Sequence, residues 1–183
     1  MKRLSKEIMA DLQKSNLDAK AADIMQVRAV APEEMGDLYG DAYKRIYGSQ
    51  CKRLPLVRAY EIPYFDLQGK RVEYARYKLL EEFIPHGENK TIKYLQLPGT
   101  KSKFYFPPFC DWAAIAATPS QELFVVEGEK KAASLSKLGF PAIGLGGVWS
   151  WKSREDESSE PISDFNLIDW TNRKTLIAFD ADV

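Results

Sequence analysis

Residues 123–147 read LFVVEGEKKAASLSKLGFPAIGLGG, and residues 175–183 read TLIAFDADV. The apolar run 123–126 is too short for a helix and suits a buried strand. Residues 129–138 carry helix formers, and Gly139 follows where a left-handed cap favours glycine. Residues 141–145 form a second apolar run, closed by Gly146-Gly147, and residues 175–179 form a third. Apolar strands alternating with helical pieces predict a parallel sheet with flanking helices. The interval from Glu127 to Asp180 leaves room for two crossovers.

Sheets of this kind gather ligands beyond the carboxyl ends of their strands. The first strand ends in Glu127-Gly128 and the third in Asp180-Ala181-Asp182. Period-two alternation puts Asp180 and Asp182 on one side. Together the three carboxylates form a hard oxygen set suited to Mg²⁺ or Mn²⁺, which completes its shell with water and phosphate oxygens. Gly128 permits a tight turn and close approach of a substrate to the backbone. A strand-end glutamate in solvent and a chance DxD are the plainer readings of each motif alone; their order along the chain makes the combination more specific.

Outward from this core, residues 153–160 read as a charged, serine-rich loop, 161–170 as a short helix, and 111–120 as a connector with a helical turn. Upstream, 58–80 predicts two strands joined by a turn at 66–69. Extended pieces follow at 93–97 and 103–106, the latter stopped by Pro107-Pro108. Residues 3–14 and 18–25 read as helices, and a third starts at Pro32 and ends by Gly40. Residues 41–54 show no clear period. The expected organisation is an N-terminal helical segment over 1–55, a β-rich, basic and aromatic region over 56–120, and an α/β domain over 121–183.

The 183 residues are 45% hydrophobic and 28% charged, enough to bury a core. No apolar run reaches the roughly 18 residues of a membrane helix, and the charged N-terminus lacks a signal sequence, so a cytoplasmic protein without membrane partners is expected. Two cysteines, Cys51 and Cys110, and one histidine, His86, are too few and too scattered for structural zinc. Both cysteines read as inert, and His86 as a solvated loop residue. Residues 1–110 hold 19 Lys/Arg against 14 Asp/Glu, and residues 111–183 hold 7 against 12. A basic front beside an acidic back fits a nucleic-acid surface next to a metal site, or chance variation between two regions.

Several features admit two readings. Lys130 and Lys131 either contact phosphate or cover a helix face in solvent. Gly144, Gly146 and Gly147 either bring backbone N–H groups to a phosphate or make a tight turn. Trp149 and Trp151 either stack on bases or cover the core. Arg58, Lys70, Arg71, Arg76 and Lys78 lie on the expected hairpin with Tyr60, Tyr64, Tyr74 and Tyr77. They either hold single-stranded nucleic acid or form a solvated face above a tyrosine-bearing core.

The segments VVEGEKKAASLSKLGFPAIGLGG and LIAFDADV resemble a Toprim domain, the fold shared by bacterial DNA primases, type IA and type II topoisomerases, overcoming-lysogenization-type nucleases and recombination mediator proteins. The order of EGEKKA, GLGGVWSW and FDAD is similar to that in the Toprim-like domains of phage- and plasmid-encoded replication proteins. The upstream pieces EIPYFDLQGK, KYLQLPG and YFPP resemble the region before Toprim in those proteins, so the likeness covers most of residues 55–183. It implies that Glu127 is a general acid/base or metal ligand and that Asp180 and Asp182 bind Mg²⁺ (or Mn²⁺). It implies DNA primase-like nucleotidyl transfer in the replication of a mobile element, with single-stranded DNA or RNA, nucleoside triphosphates and a replicative helicase as partners. Gly128, Lys130, Lys131, Gly146 and Gly147 would then line the phosphate path.

Three departures stand out. Bacterial primases typically carry an aspartate at the position of Lys131. They also carry a zinc ribbon, which this composition does not supply. The sequence stops at Val183, directly after DxD, where a Toprim domain continues through another helix and strand; an incomplete α/β domain, truncated after its third strand, is therefore expected. A metal-dependent nuclease on the same scaffold and a non-catalytic nucleic-acid-binding module are the alternatives.

Overall fold

The computed structural model describes residues 4–47, 58–83, 91–97, 99–153 and 160–180. Cys51, His86 and Asp182 lie outside the described residues, as does most of the charged loop after Ser153. The chain divides into two units. One comprises Met1–Asp11, Gln26–Pro63 and Tyr74–Thr100; the other comprises Leu12–Met25, Tyr64–Glu73 and Lys101–Val183.

The expected N-terminal helices are present as α1, Lys6–Gln13, and α2, Ala19–Ile24. Asp18 caps α2 by accepting from the Ala21 N–H at 2.8 Å. Strand β1, Arg28–Val30, has no counterpart in the sequence reading, because three residues carry no readable period. Helix α3, Pro32–Tyr47, runs past its expected end at Gly40. An interior glycine costs only about 1 kcal/mol, and packing outweighs it. Met35 and Tyr39, one turn apart, are buried on one face of the helix.

Strands β2, Ala59–Phe65, β3, Arg71–Phe83, and β4, Ile92–Gln96, complete a sheet in the order β1-β2-β3-β4. The β1/β2 and β3/β4 pairs are antiparallel. Alternation along β3 sends Ala75, Tyr77 and Leu79 into a core with Val30, Met35 and Tyr39. Tyr39 and Tyr77 meet edge to face, 6.0 Å between ring centroids. The turn between β2 and β3 falls where expected: Gly69 adopts φ 73°, and the Asp66 carboxylate accepts from the N–H groups of Gln68 and Lys70.

The second unit holds α4, Trp112–Ala117, β5, Leu123–Glu127, α5, Glu129–Lys137, β6, Ala142–Leu145, and β7, Thr175–Ala178. The three strands are parallel in the order β6-β5-β7, with β5 central. The strand-helix-strand order is the expected one, and Gly139 takes the expected left-handed conformation beyond α5, at φ 88°. Two expectations need correction. Residues 103–106 form no strand; Tyr105 makes one antiparallel bridge to Gly144, and the prolines that follow offer no N–H to extend it. The helix expected over 161–170 is only a 3₁₀ turn, Ser163–Leu167. There the Asp164 carboxylate is drawn inward to accept from the Phe104 N–H at 2.8 Å, and the Trp170 indole closes back on the Phe165 carbonyl at 2.8 Å.

The core of this unit gathers Phe104, Phe106, Trp112, Leu123, Ile143 and Leu145. Arg173 fastens its edge. The buried guanidinium donates to the carbonyls of Gln121 (2.8 Å), Ile115 (2.8 Å) and Ala116 (3.2 Å), and to its neighbour Asp169 (2.7 Å). It thereby adds a second donor to two carbonyls near the end of α4, which also accept from the Thr118 and Asp169 N–H groups, and fixes the approach to β7. Arg173→Met is expected to lower stability by about 3 kcal/mol, since several hydrogen bonds to a charged group disappear together. Urea unfolding measures this; a midpoint unchanged from the native chain would show the cross-link to be idle.

Candidate functional site

Parallel pairing brings two of the candidate carboxylates, Glu127 and Asp180, to the carboxyl end of β5 and β7. Val126 on β5 stands opposite Ala178 on β7. The next residues along are Glu127, half-buried at the end of β5, and Phe179, with Asp180 one step beyond. Glu127 also pairs with Leu145 at the end of β6, and the Gly128 N–H donates to the Leu145 carbonyl at 2.7 Å. The chain then turns at Gly128, φ 89°, a value that a side chain would strain, and enters α5.

The first turn of α5 carries Glu129, Lys130 and Lys131. Glu129 is buried, and its Oε1 accepts from the Tyr64 hydroxyl at 2.6 Å. Tyr105 lies beside this pair, its ring 5.0 Å from that of Tyr64. Burial, with Glu129 nearby, pushes the Tyr105 hydroxyl well above the ordinary tyrosine range. Lys130 is half-buried. Lys131 is exposed and forms an ion pair with Asp180.

Gly144 has a role different from the phosphate contact weighed in the sequence. Its N–H donates to the Tyr105 carbonyl at 3.0 Å, so the backbone there is committed to the fold. A Cβ at this position would stand 3.1 Å from the Gly128 carbonyl oxygen and 3.2 Å from the Cβ atoms of Ala132 and Tyr105. Glycine here lets α5 lie close on β6. Gly146 and Gly147 are half-buried in the bend after β6, and a turn closes from the Ser150 N–H to the Gly147 carbonyl at 2.9 Å. Trp149 is 66% exposed, with the Lys152 ammonium 5.1 Å from its ring centroid. Trp151 packs against the core.

The basic residues of the hairpin separate into different settings. Arg58 pairs with Glu81 and with Glu7, at 2.6 Å for the latter. Lys70 and Arg71 are exposed at the turn. Lys78 stands opposite Tyr94 across β3 and β4, its ammonium 5.3 Å from the ring centroid; the Arg76 guanidinium lies 4.9 Å from the same ring. Tyr94 escapes a reading of the sequence because only strand register makes it a neighbour of these cations.

A divalent cation fits the donor chemistry at the β5/β7 edge. Glu127 and Asp180 supply hard oxygens, and a cation, the Lys131 ammonium, already sits against Asp180. Among the described residues no group of three His, Cys, Asp or Glu side chains forms a metal cluster; Asp182 is outside them. Cys110 is a half-buried free thiol whose ionisation burial opposes. No helix among the described residues is long and apolar enough to cross a membrane.

Comparison with known proteins gives three kinds of likeness. A family model described as a domain of unknown function (DUF3854) matches residues 111–183. An uncharacterized protein of Picosynechococcus sp. is 29% identical over 96 residues, spanning 48% of this chain and 9% of that protein. Among solved structures, the DnaG primase catalytic domain bound to ssDNA has a TM-score of 0.54 at 16% identity, over 97% of this chain and 56% of that one. The E. coli primase catalytic core has a TM-score of 0.54 at 15% identity, over 96% of this chain and 56% of that one. The chain therefore shares the fold of primase catalytic cores while spanning little more than half the length of these structures and a small part of the curated relative.

Proposed function

We propose that this chain is a Toprim-type primase module that joins nucleoside triphosphates on a single-stranded DNA template. The observation that carries the reading is the arrangement of Glu127 and Asp180 at one edge of a parallel sheet, beside the cationic first turn of α5. Glu127 and Asp180, with Asp182, would hold Mg²⁺ or Mn²⁺. The metal, when bound, supplies charge neutralisation on phosphate oxygens and a lowered pKa for an attacking hydroxyl. The chain's own part is positioning. Gly128 opens the backbone for a phosphate, and Lys130 and Lys131 offer compensating charge. Glu127, as an alternative to holding the metal, would take a proton from the 3′-hydroxyl. A phage or plasmid replicon and a helicase partner rest on the motif resemblance.

Primer synthesis on single-stranded DNA with Mg²⁺ and nucleoside triphosphates tests this reading. Template-directed products are expected from the native chain. Cleavage of the strand without nucleotides would replace primase with nuclease. Binding without either reaction would favour a non-catalytic module, a reading to which the Lys131–Asp180 pair lends support because it occupies a metal ligand.

Template binding is assigned to the face of β3 and β4 that bears Arg76, Lys78 and Tyr94. Arg76→Ala and Lys78→Ala are each expected to weaken single-strand binding evenly across sequences. Each should also flatten the slope of log K against log salt by about 0.7 for every phosphate left without a cation. Fluorescence anisotropy between low and moderate salt reads this slope. An unaltered slope in both variants would place the template elsewhere.

A further inference from the structure

We infer that Lys131 is an exchangeable counter-ion built into the metal site: its ammonium holds Asp180 until a divalent cation takes that carboxylate, and it is then released toward substrate phosphate. The inference rests on the metal-centred reading above and adds a coupling between metal entry and phosphate capture.

Helix energetics argue that Lys131 is not there for α5. With Gly128 as N-cap, Lys131 is the third residue of the helix. The N-terminus of a helix carries partial positive charge, so a cation in its first turn is unfavourable. Lys130 adds a second positive charge beside it, while Glu129, the carboxylate of the same turn, is buried and accepts from the Tyr64 hydroxyl. A carboxylate from outside the helix offsets this, and Asp180, two residues beyond the end of β7, provides it. The pair is accessible: the Lys131 side chain is 45% exposed and that of Asp180 62%. Exposed pairs hold weakly, so a divalent ion can compete for the carboxylate. Once displaced, the ammonium remains tethered beside the positive end of α5, where a phosphate brought by the metal would supply a compensating anion.

The test combines calorimetric Mg²⁺ titration of the native chain, Lys131→Met and Asp180→Asn with a chemical probe of the lysine. Lys131→Met removes both the competitor and the repulsion, so its Mg²⁺ affinity is expected to be about five- to tenfold tighter than native. Asp180→Asn is expected to lose the site. In the native chain, acylation of Lys131 by an amine-reactive ester, read by mass spectrometry, is expected to rise severalfold on adding Mg²⁺. Lys174, which pairs with Glu122, is the internal reference and should not change. Equal Mg²⁺ affinity in native and Lys131→Met chains, with loss in Asp180→Asn, would overturn the counter-ion inference and leave the metal site standing. No binding by any of the three would overturn both. Acylation of Lys131 that ignores Mg²⁺ in a chain shown to bind it would also overturn the inference, without needing a variant to fold.

Discussion

Asp180→Asn and Glu127→Gln should each reduce Mg²⁺-dependent nucleotidyl transfer by about two to three orders of magnitude, the usual loss when one preorganised electrostatic group leaves a reacting centre. Both substitutions keep side-chain volume and remove a charge. Asp180 is largely exposed and Glu127 half-buried at a strand end, so neither change disturbs the packed core. Their effects should differ in kind. Asp180→Asn also frees Lys131, so it should lose metal binding while leaving a cation near the phosphates. Glu127→Gln should retain more metal affinity and lose more turnover if its main task is proton transfer. Steady-state rates across a Mg²⁺ series separate the two patterns. Activity in either variant within a few-fold of native would remove that carboxylate from the mechanism.

Gly144→Val is expected to cost roughly 3 kcal/mol or more, the upper range for forcing volume into a packed site. The first added carbon already meets the Gly128 carbonyl and the Ala132 and Tyr105 Cβ atoms at 3.1–3.2 Å, all of them backbone or backbone-fixed. Relief requires α5 to lift from β6, which would carry Gly128, Glu129 and Lys131 away from the strand ends. Thermal unfolding and Mg²⁺ affinity should therefore both suffer in Gly144→Val. Asp180→Asn should lose affinity with little loss of stability. A Gly144→Val chain as stable as native would show that β6 and α5 are not in the close contact described.

The second unit is legible in the sequence because its signals are local. Short apolar runs, a glycine at each turn and acidic strand ends lie within a few residues of one another, and parallel order follows from the crossovers. The candidate site is legible only in outline. Glu127 and Asp180 can be named from their motifs, but the partner of Asp180 cannot, since no local pattern joins residues 131 and 180. Two lysines in a helix's first turn, against the single carboxylate of Glu129, are the one signal that a further anion would be welcome there. Gly144 misleads for a similar reason: its neighbours Tyr105 and Ala132 are brought to it by the fold, and the glycine pair that follows suggests a phosphate loop. The first unit is harder. Strand β1 is too short for any period, and α3 crosses Gly40 because Met35 and Tyr39 bury against β3, a tertiary gain that propensity does not register. Arg173, shortly after a tryptophan-containing turn, carries no hint that its guanidinium bridges two stretches of backbone far upstream.

The most direct test of the proposed metal centre is anomalous diffraction from crystals of the chain soaked in Mn²⁺. A peak is expected at the β5/β7 edge within about 2.2 Å of carboxylate oxygens of Glu127 and Asp180, with the Lys131 ammonium moved off Asp180. A fully soaked crystal with no peak there and Lys131 still paired to Asp180 would refute the metal centre.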